Sequence, residues 1–206
     1  MDPVKRHGWC LAAGLLLTFL SAAAPQRAAM AQGDPLVGQL LVASPGMGEA
    51  IFAHTVILVI QHGEGGALGI VINQPFEERS IASLLERIGK KDSTVHGDVR
   101  VFAGGPMEPT VGFIVHSAEY RRPETTYIDG RIAMTSSPEV LRDIGHGKGP
   151  KESLVAFGYA GWGPGQLEVE LARHDWITVP EDPQLIFDDD RTKIWDEAMA
   201  RVGEPL

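Results

Sequence analysis

The sequence holds a single cysteine, Cys10, in 206 residues. No intrachain disulfide can form, and no cysteine cluster exists to hold zinc or run thiol exchange. Positive charge is also scarce: 18 Lys and Arg stand against 27 Asp and Glu. That balance excludes the broad basic footprint that nucleic-acid phosphates require. Arg121-Arg122 is the only adjacent pair of arginines. Several active-site signatures are missing as well. There is no dinucleotide glycine spacing and no Gly-Lys-Ser phosphate loop. No serine sits in a Gly-x-Ser-x-Gly elbow: Ser44 precedes a proline in a turn, and Ser137 reads as a helix cap. The histidines at 54, 62, 96, 116, 146 and 174 show no i, i+4 zinc pair. Asp188-Asp189-Asp190 lacks the alternating ligands and central glycine of a calcium loop, and Asp190 reads instead as the N-cap of a last helix. No catalytic set, metal site or cofactor is expected.

Long apolar runs are absent too, save one. Lys5 and Arg6 precede an almost unbroken apolar stretch from Trp9 to Ala24, and Ala29-Met30-Ala31 follows with small residues ahead of Gln32. This is the layout of a secretory signal peptide over residues 1–31. The apolar core, about 16 residues, is short for a bilayer span of roughly 20. Cleavage near Ala31-Gln32 is expected, leaving residues 32–206 as one exported, periplasmic or secreted domain with no stable transmembrane segment. Cleavage would remove Lys5, Arg6 and Arg27 but only Asp2, so the mature domain is more acidic than the whole chain's net charge of −9.

What remains alternates between short apolar runs and turn residues. Leu36 to Ala43, Thr55 to Ile60, Ala67 to Asn73, Val99 to Ala103, Val111 to His116, Leu154 to Phe157 and Trp176 to Val179 read as strands. Pro75 closes the third of these, and a short strand pair is expected around Asp129-Gly130. Ser80 caps a helix with Ile81, Leu84, Leu85 and Ile88 on one face, stopped by Gly89. Ser137-Pro138 starts a second. Thr192 to Val202 forms the last, ended by Gly203. Strands outnumber helices and there is no regular β-α-β alternation. The expected fold is a single α+β domain around a mixed sheet.

The stretch Phe157 to Trp176, FGYAGWGPGQLEVELARHDW, organises the rest. It reads as a strand broken at Gly158, then a glycine turn, then a helix that places Gln166, Glu170 and His174 on one face. Gly161, Trp162 and Gln166 stand at the mouth of the turn, where helix N–H groups favour anions and an indole can stack. Gln166, Glu168 and Glu170 are candidates for ligands or a general base, although the same pattern suits a solvated helix face. Asn73, Pro75, Gly104 and Gly105 end strands, positions that line clefts or simply make turns. The candidate binding surface is therefore Asn73, Pro75, Gly104, Gly105, Gly161, Trp162, Gln166 and Glu168.

Four stretches together carry a resemblance: Gly38 to Pro45 (GQLLVASP), Gly66 to Pro75 (GALGIVINQP), Gly104-Gly105-Pro106 and Gly158 to Glu170. In that order and spacing the chain resembles the YqgE/AlgH family of bacterial proteins, over about Gly38 to Gly203. The resemblance implies a bent, bifurcated sheet forming a pseudo-barrel with helices outside. It supplies no catalytic residues. The family is largely uncharacterised, and some members are described as candidate transcriptional regulators linked to alginate production. Family members generally begin near the first strand, so the leader is a departure that argues against work on DNA. The expectation is a non-enzymatic binding or regulatory protein of the envelope with a protein or small-molecule partner. The alternatives are a transcriptional regulator and a hydrolase-like enzyme at a glycine-lined cleft.

Overall fold

A computed structural model describes residues 36–202. The leader expected over residues 1–31, residues 32–35 and the helix stop at Gly203 lie outside the described residues. β1 (Leu40–Ala43) leads through a 3-10 turn at Ala50–Phe52 into β2 (Val56–Gly63). A tight turn at Glu64-Gly65 returns the chain as β3 (Gly66–Val71). β1 and the first half of β2 are apolar at every position because both faces are covered. Leu40, Val42, Val56, Leu58 and Ile60 enter one core cluster, while Leu41, Ala43, Ile57 and Val59 enter another on the opposite face. Fully burying each of these Val, Leu and Ile side chains contributes about 1.5–3 kcal/mol.

The next segment corrects the expectation that Pro75 ends a strand. Pro75–Ser80 is itself a strand, β4, and pairs antiparallel with β5 (Asp98–Ala103). Its sequence, PFEERS, is too polar to announce a strand, since among the described residues it pairs on one side only. Proline is tolerated at such an edge. Between them α1 (Ile81–Arg87) starts at Ser80, whose Oγ accepts the Ser83 N–H at 3.3 Å. Buried Ile81, Leu84 and Leu85 hold α1 to the sheet with Val140 and Leu141 of α2 (Glu139–Gly145). β6 (Met107–Ser117), β7 (Thr126–Tyr127) and β8 (Ile132–Thr135) precede α2. Ser137 caps α2 only weakly, accepting the Glu139 N–H at 3.4 Å, and the helix begins one residue after Pro138.

β9 corrects a second expectation. It does not stop at Gly158 but runs unbroken from Ser153 to Trp162. Along one edge it pairs with β6. Along the other it pairs first with β5, in parallel, through Val155 to Phe157, and then with β3, antiparallel, through Ala160 to Trp162. The change of partner is where the sheet bifurcates. Gly158 absorbs the bend with φ +77°, a left-handed conformation costly for other residues. The remaining elements are α3 (Gln166–Ala172), β10 (Trp176–Val179), α4 (Pro183–Phe187) and α5 (Ile194–Ala200). α4 has no counterpart in the sequence reading. Asp182 caps it by accepting the Gln184 N–H at 2.8 Å. α5 is shorter than expected: its N-cap is Lys193, and Asp190 accepts the Thr192 hydroxyl just ahead of it. The strand order is β10-β1-β2-β3-β9-β6-β8-β7, a curled, mostly antiparallel sheet with helices around it. No helix among the described residues is long and apolar enough to cross a membrane.

Candidate functional site

The glycine turn after β9 leads directly into α3, and β10 follows α3 after three residues. Trp162 at the end of β9 and Trp176 at the start of β10 are thereby brought edge to face, with ring centroids 6.0 Å apart. Their indole N–H groups donate to the same carboxylate oxygen, Oε2 of Glu170. Gln166, one helical turn earlier, donates from Nε2 to Oε1 of Glu170 at 2.8 Å. Its own Oε1 accepts the Gly163 N–H at 3.1 Å, closing the turn on itself. One side-chain network thus locks strand, turn, helix and strand. An indole N–H buried without an acceptor is costly, which explains why a carboxylate sits among apolar side chains.

Beside this network lies a cleft of about 270 Å³. Phe52, in edge contact with Trp176, and Met47 form an apolar wall. Arg173 and Asp175 form another side, paired with each other at 2.6 Å. Trp162 and Trp176 are only 7% and 3% exposed, so most of each indole belongs to the core beneath the cleft. A shallower groove of about 440 Å³ lies across Gly161 and Trp162, lined by Gly63, Gly65 and Gly66 of the β2–β3 turn and by Tyr159.

The eight candidate residues fall into three groups. Gly161, Trp162 and Gln166 meet at the cleft. Glu168 points from the outer face of α3 to His62, with Oε1 2.7 Å from Nε2. The other four serve the sheet. Asn73 accepts the Val56 N–H at 2.9 Å and donates to the His54 carbonyl at 2.8 Å, fastening the start of β2. Pro75 opens β4. Gly104 donates to the Phe157 carbonyl at 2.8 Å and accepts the Val71 N–H at 2.9 Å, so it joins β3 and β9 at the bifurcation. Gly105 lies so close to β9 that a Cβ there would stand 2.1 Å from the carbonyl carbon of Tyr159. Sequence reasoning missed Trp176, Arg173, Asp175, Met47, Glu49 and Phe52. The one available signal was the i, i+4 spacing of Gln166 and Glu170.

Two further titratable groups lie away from the cleft. His116 is fully buried between the Ser117 carbonyl and the Thr135 hydroxyl, each at 3.0 Å. Burial holds its imidazole below the ordinary value. Glu181, bridged by Arg131, is pushed up to about 7 by burial and by its hydrogen bond with Asp129.

The fold and this cleft define a single-domain α+β protein whose curled sheet carries a preformed pocket between two tryptophan-bearing strands. The chain belongs to the AlgH-like family, whose model matches residues 40–206. It is 46% identical over 176 residues to a UPF0301 protein of Jannaschia sp., covering 83% of this chain and 91% of that one. A UPF0301 protein of Rhodospirillum rubrum is 43% identical over 168 residues, covering 82% and 88%. The solution structure of AlgH from Pseudomonas aeruginosa superposes with a TM-score of 0.72 at 36% identity, covering 85% of this chain and 94% of that one. A crystal structure of a protein from Corynebacterium diphtheriae matches at 0.65 and 25%, covering 84% and 90%.

Proposed function

We propose that the chain is a non-enzymatic binding protein exported to the bacterial envelope, with its ligand site at the Trp162–Trp176 cleft. One observation carries the binding reading. The carboxylate beside the cleft, Glu170, already has three N–H donors aimed at it, from Trp162, Trp176 and Gln166. It is spent on holding the walls in place rather than held ready to take a proton from a substrate. A rigid, prebuilt cleft is what a binding site needs, since little ordering has to accompany the ligand. The export reading rests on the signal-peptide layout of residues 1–31, and the acidic balance of the chain opposes nucleic-acid binding. The partner is a small molecule or protein of that compartment, not nucleic acid.

Indole N–H resonances of Trp162 and Trp176 report directly on the cleft. A chemically diverse fragment library screened by two-dimensional NMR should yield ligands that move both. A library that moves neither refutes the site. Fractionation with N-terminal mass spectrometry tests export. A periplasmic chain beginning near Gln32 is expected; an uncleaved cytoplasmic chain would return the transcriptional-regulator reading to the front.

A second reading, a hydrolase-like enzyme, draws on the His62–Glu168 pair, an imidazole and a carboxylate at 2.7 Å beside the glycine-lined groove. Turnover of an ester, amide or phosphate panel, abolished by Glu168→Gln, would establish it. No turnover on the panel would remove its support.

A further inference from the structure

We propose that the Trp162–Trp176 cleft takes a small organic cation, an amine or quaternary ammonium with a short apolar body. This inference rests on the reading of that cleft as a ligand site. Four charged residues line it: Glu49, Glu170 and Asp175 are acidic and Arg173 is basic. The lining therefore carries a formal net charge of −2. Arg173 and Asp175 cancel each other, since Nε and Nη2 of Arg173 both donate to Asp175 Oδ2 at 3.0 and 2.6 Å, so the excess charge resides on Glu49 and Glu170. Glu49 is different. It stands exposed at the rim, just before the Ala50–Phe52 turn, and its side chain makes no hydrogen bond or ion pair with the described residues. An anionic ligand would meet Glu49 and Glu170, while Arg173, the one cation in the lining, already pairs with Asp175. A cation would meet its complement.

The rest of the cleft describes the ligand's body. Phe52 and Met47 supply an aromatic and a polarisable wall, the surroundings in which alkylammonium groups are held by cation–π and dispersion contacts. A volume of about 270 Å³ lies just below the usual range of small-molecule sites, roughly 300 to 1,000 Å³. That excludes a polymer threaded through the site and suits a compact metabolite. A bare metal ion is a poor match, because the carboxylates are dispersed and among the described residues no group of three His, Cys, Asp or Glu side chains is placed to hold one.

The test titrates the protein with n-butylammonium, tetramethylammonium, n-butyrate and n-butanol at constant ionic strength, following the Trp162 and Trp176 indole resonances. Both ammonium probes should move the two signals saturably. Glu49→Gln should weaken them roughly fivefold, consistent with loss of one partly exposed charge contact. Glu49 is exposed and unbonded, so this variant should fold normally, and an unchanged thermal midpoint would verify it. Movement by butyrate or butanol but by neither ammonium would overturn the cation while leaving the cleft a ligand site. Silence from all four probes would overturn it too, and the fragment screen would then decide separately whether the cleft binds anything. Ammonium binding untouched by Glu49→Gln would also count against the assignment, because it would place the cation elsewhere.

Discussion

Trp162 and Trp176 share one hydrogen-bond acceptor: both indole N–H groups reach Oε2 of Glu170 at 2.8 Å. The two residues sit on different strands, one ending β9 and one beginning β10. A single carboxylate therefore fixes the spacing of two strands that are not neighbours in the sheet.

Removing that acceptor should be expensive. Glu170→Leu leaves two indole donors and the Gln166 amide without their partner, and a loss of about 2–4 kcal/mol is expected. Glu170→Gln keeps one carbonyl oxygen and should lose less than half as much. Urea unfolding with unchanged m-value, read by tryptophan fluorescence, checks both. Equal stability of the leucine variant and the wild type would show that the network is incidental.

The Glu181 carboxyl should make the protein less stable as pH rises. Its folded pKa is about 7, against 4.5 for the free group, because of burial and its hydrogen bond with Asp129. Between those two values the folded state keeps a proton that the unfolded state has released. Stability should therefore fall from pH 4.5 to 7 and level off above. Burial raises Asp129 as well, but the hydrogen bond from Glu181 and the N–H groups of Ile132 and Arg131 outweigh it and keep that partner ionised. Water partly screens the pair, so the loss is about 1–2 kcal/mol. Glu181→Gln should flatten this slope, as measured by thermal midpoints across pH.

His116 should produce the opposite slope. Burial lowers its folded pKa below 6.5, so below that pH the unfolded chain takes up a proton more readily. Stability from this group is present above pH 6.5 and is lost as pH falls beneath it. His116→Gln should remove that acid-side loss while leaving the Glu181 slope in place. Persistence of the full acid-side loss in the variant would assign it to other groups.

The glycines at the bifurcation should be among the least replaceable of the described residues. Gly105 combines φ +149° with so close an approach that an added methyl would stand only 2.1 Å from β9 backbone. At Gly158 the nearest atom to such a methyl would be the Gly105 carbonyl oxygen, at 2.4 Å. Gly105→Ala or Gly158→Ala should cost about 3 kcal/mol or more, or leave the protein insoluble. Gly65→Ala, in open space, should fall within about 0.5 kcal/mol of wild type. Denaturation midpoints decide between them.

Where a segment's own chemistry dictates its structure, the sequence is readable. Continuous apolar runs such as Val56 to Ile60 announce doubly buried strands, and Ser80 announces α1. The family resemblance, carried by ordered motifs, points to the bent and bifurcated sheet. β4 is hidden because an edge strand needs no apolar pattern. The passage of β9 through Gly158 is hidden because a glycine that ends a strand and one that bends it look the same. Half of the cleft is hidden for a different reason. Met47, Glu49 and Phe52 lie more than a hundred residues from Trp162 and Trp176 and meet them through long-range strand pairing, β1 with β10 and β2 through β3 to β9.

That pairing, and the place of β9 in the middle of the sheet, govern when the chain can fold. β3 has no second neighbour until residues 160–162 exist, and β1 none on its outer side until β10 is made at Trp176–Val179. A ribosome must release most of the polypeptide before the first hairpin gains its flanking strands. Long-range pairing of this kind slows collapse and leaves a window in which the new chain is still extended. Translocation machinery that accepts only unfolded substrates would have that window in which to act.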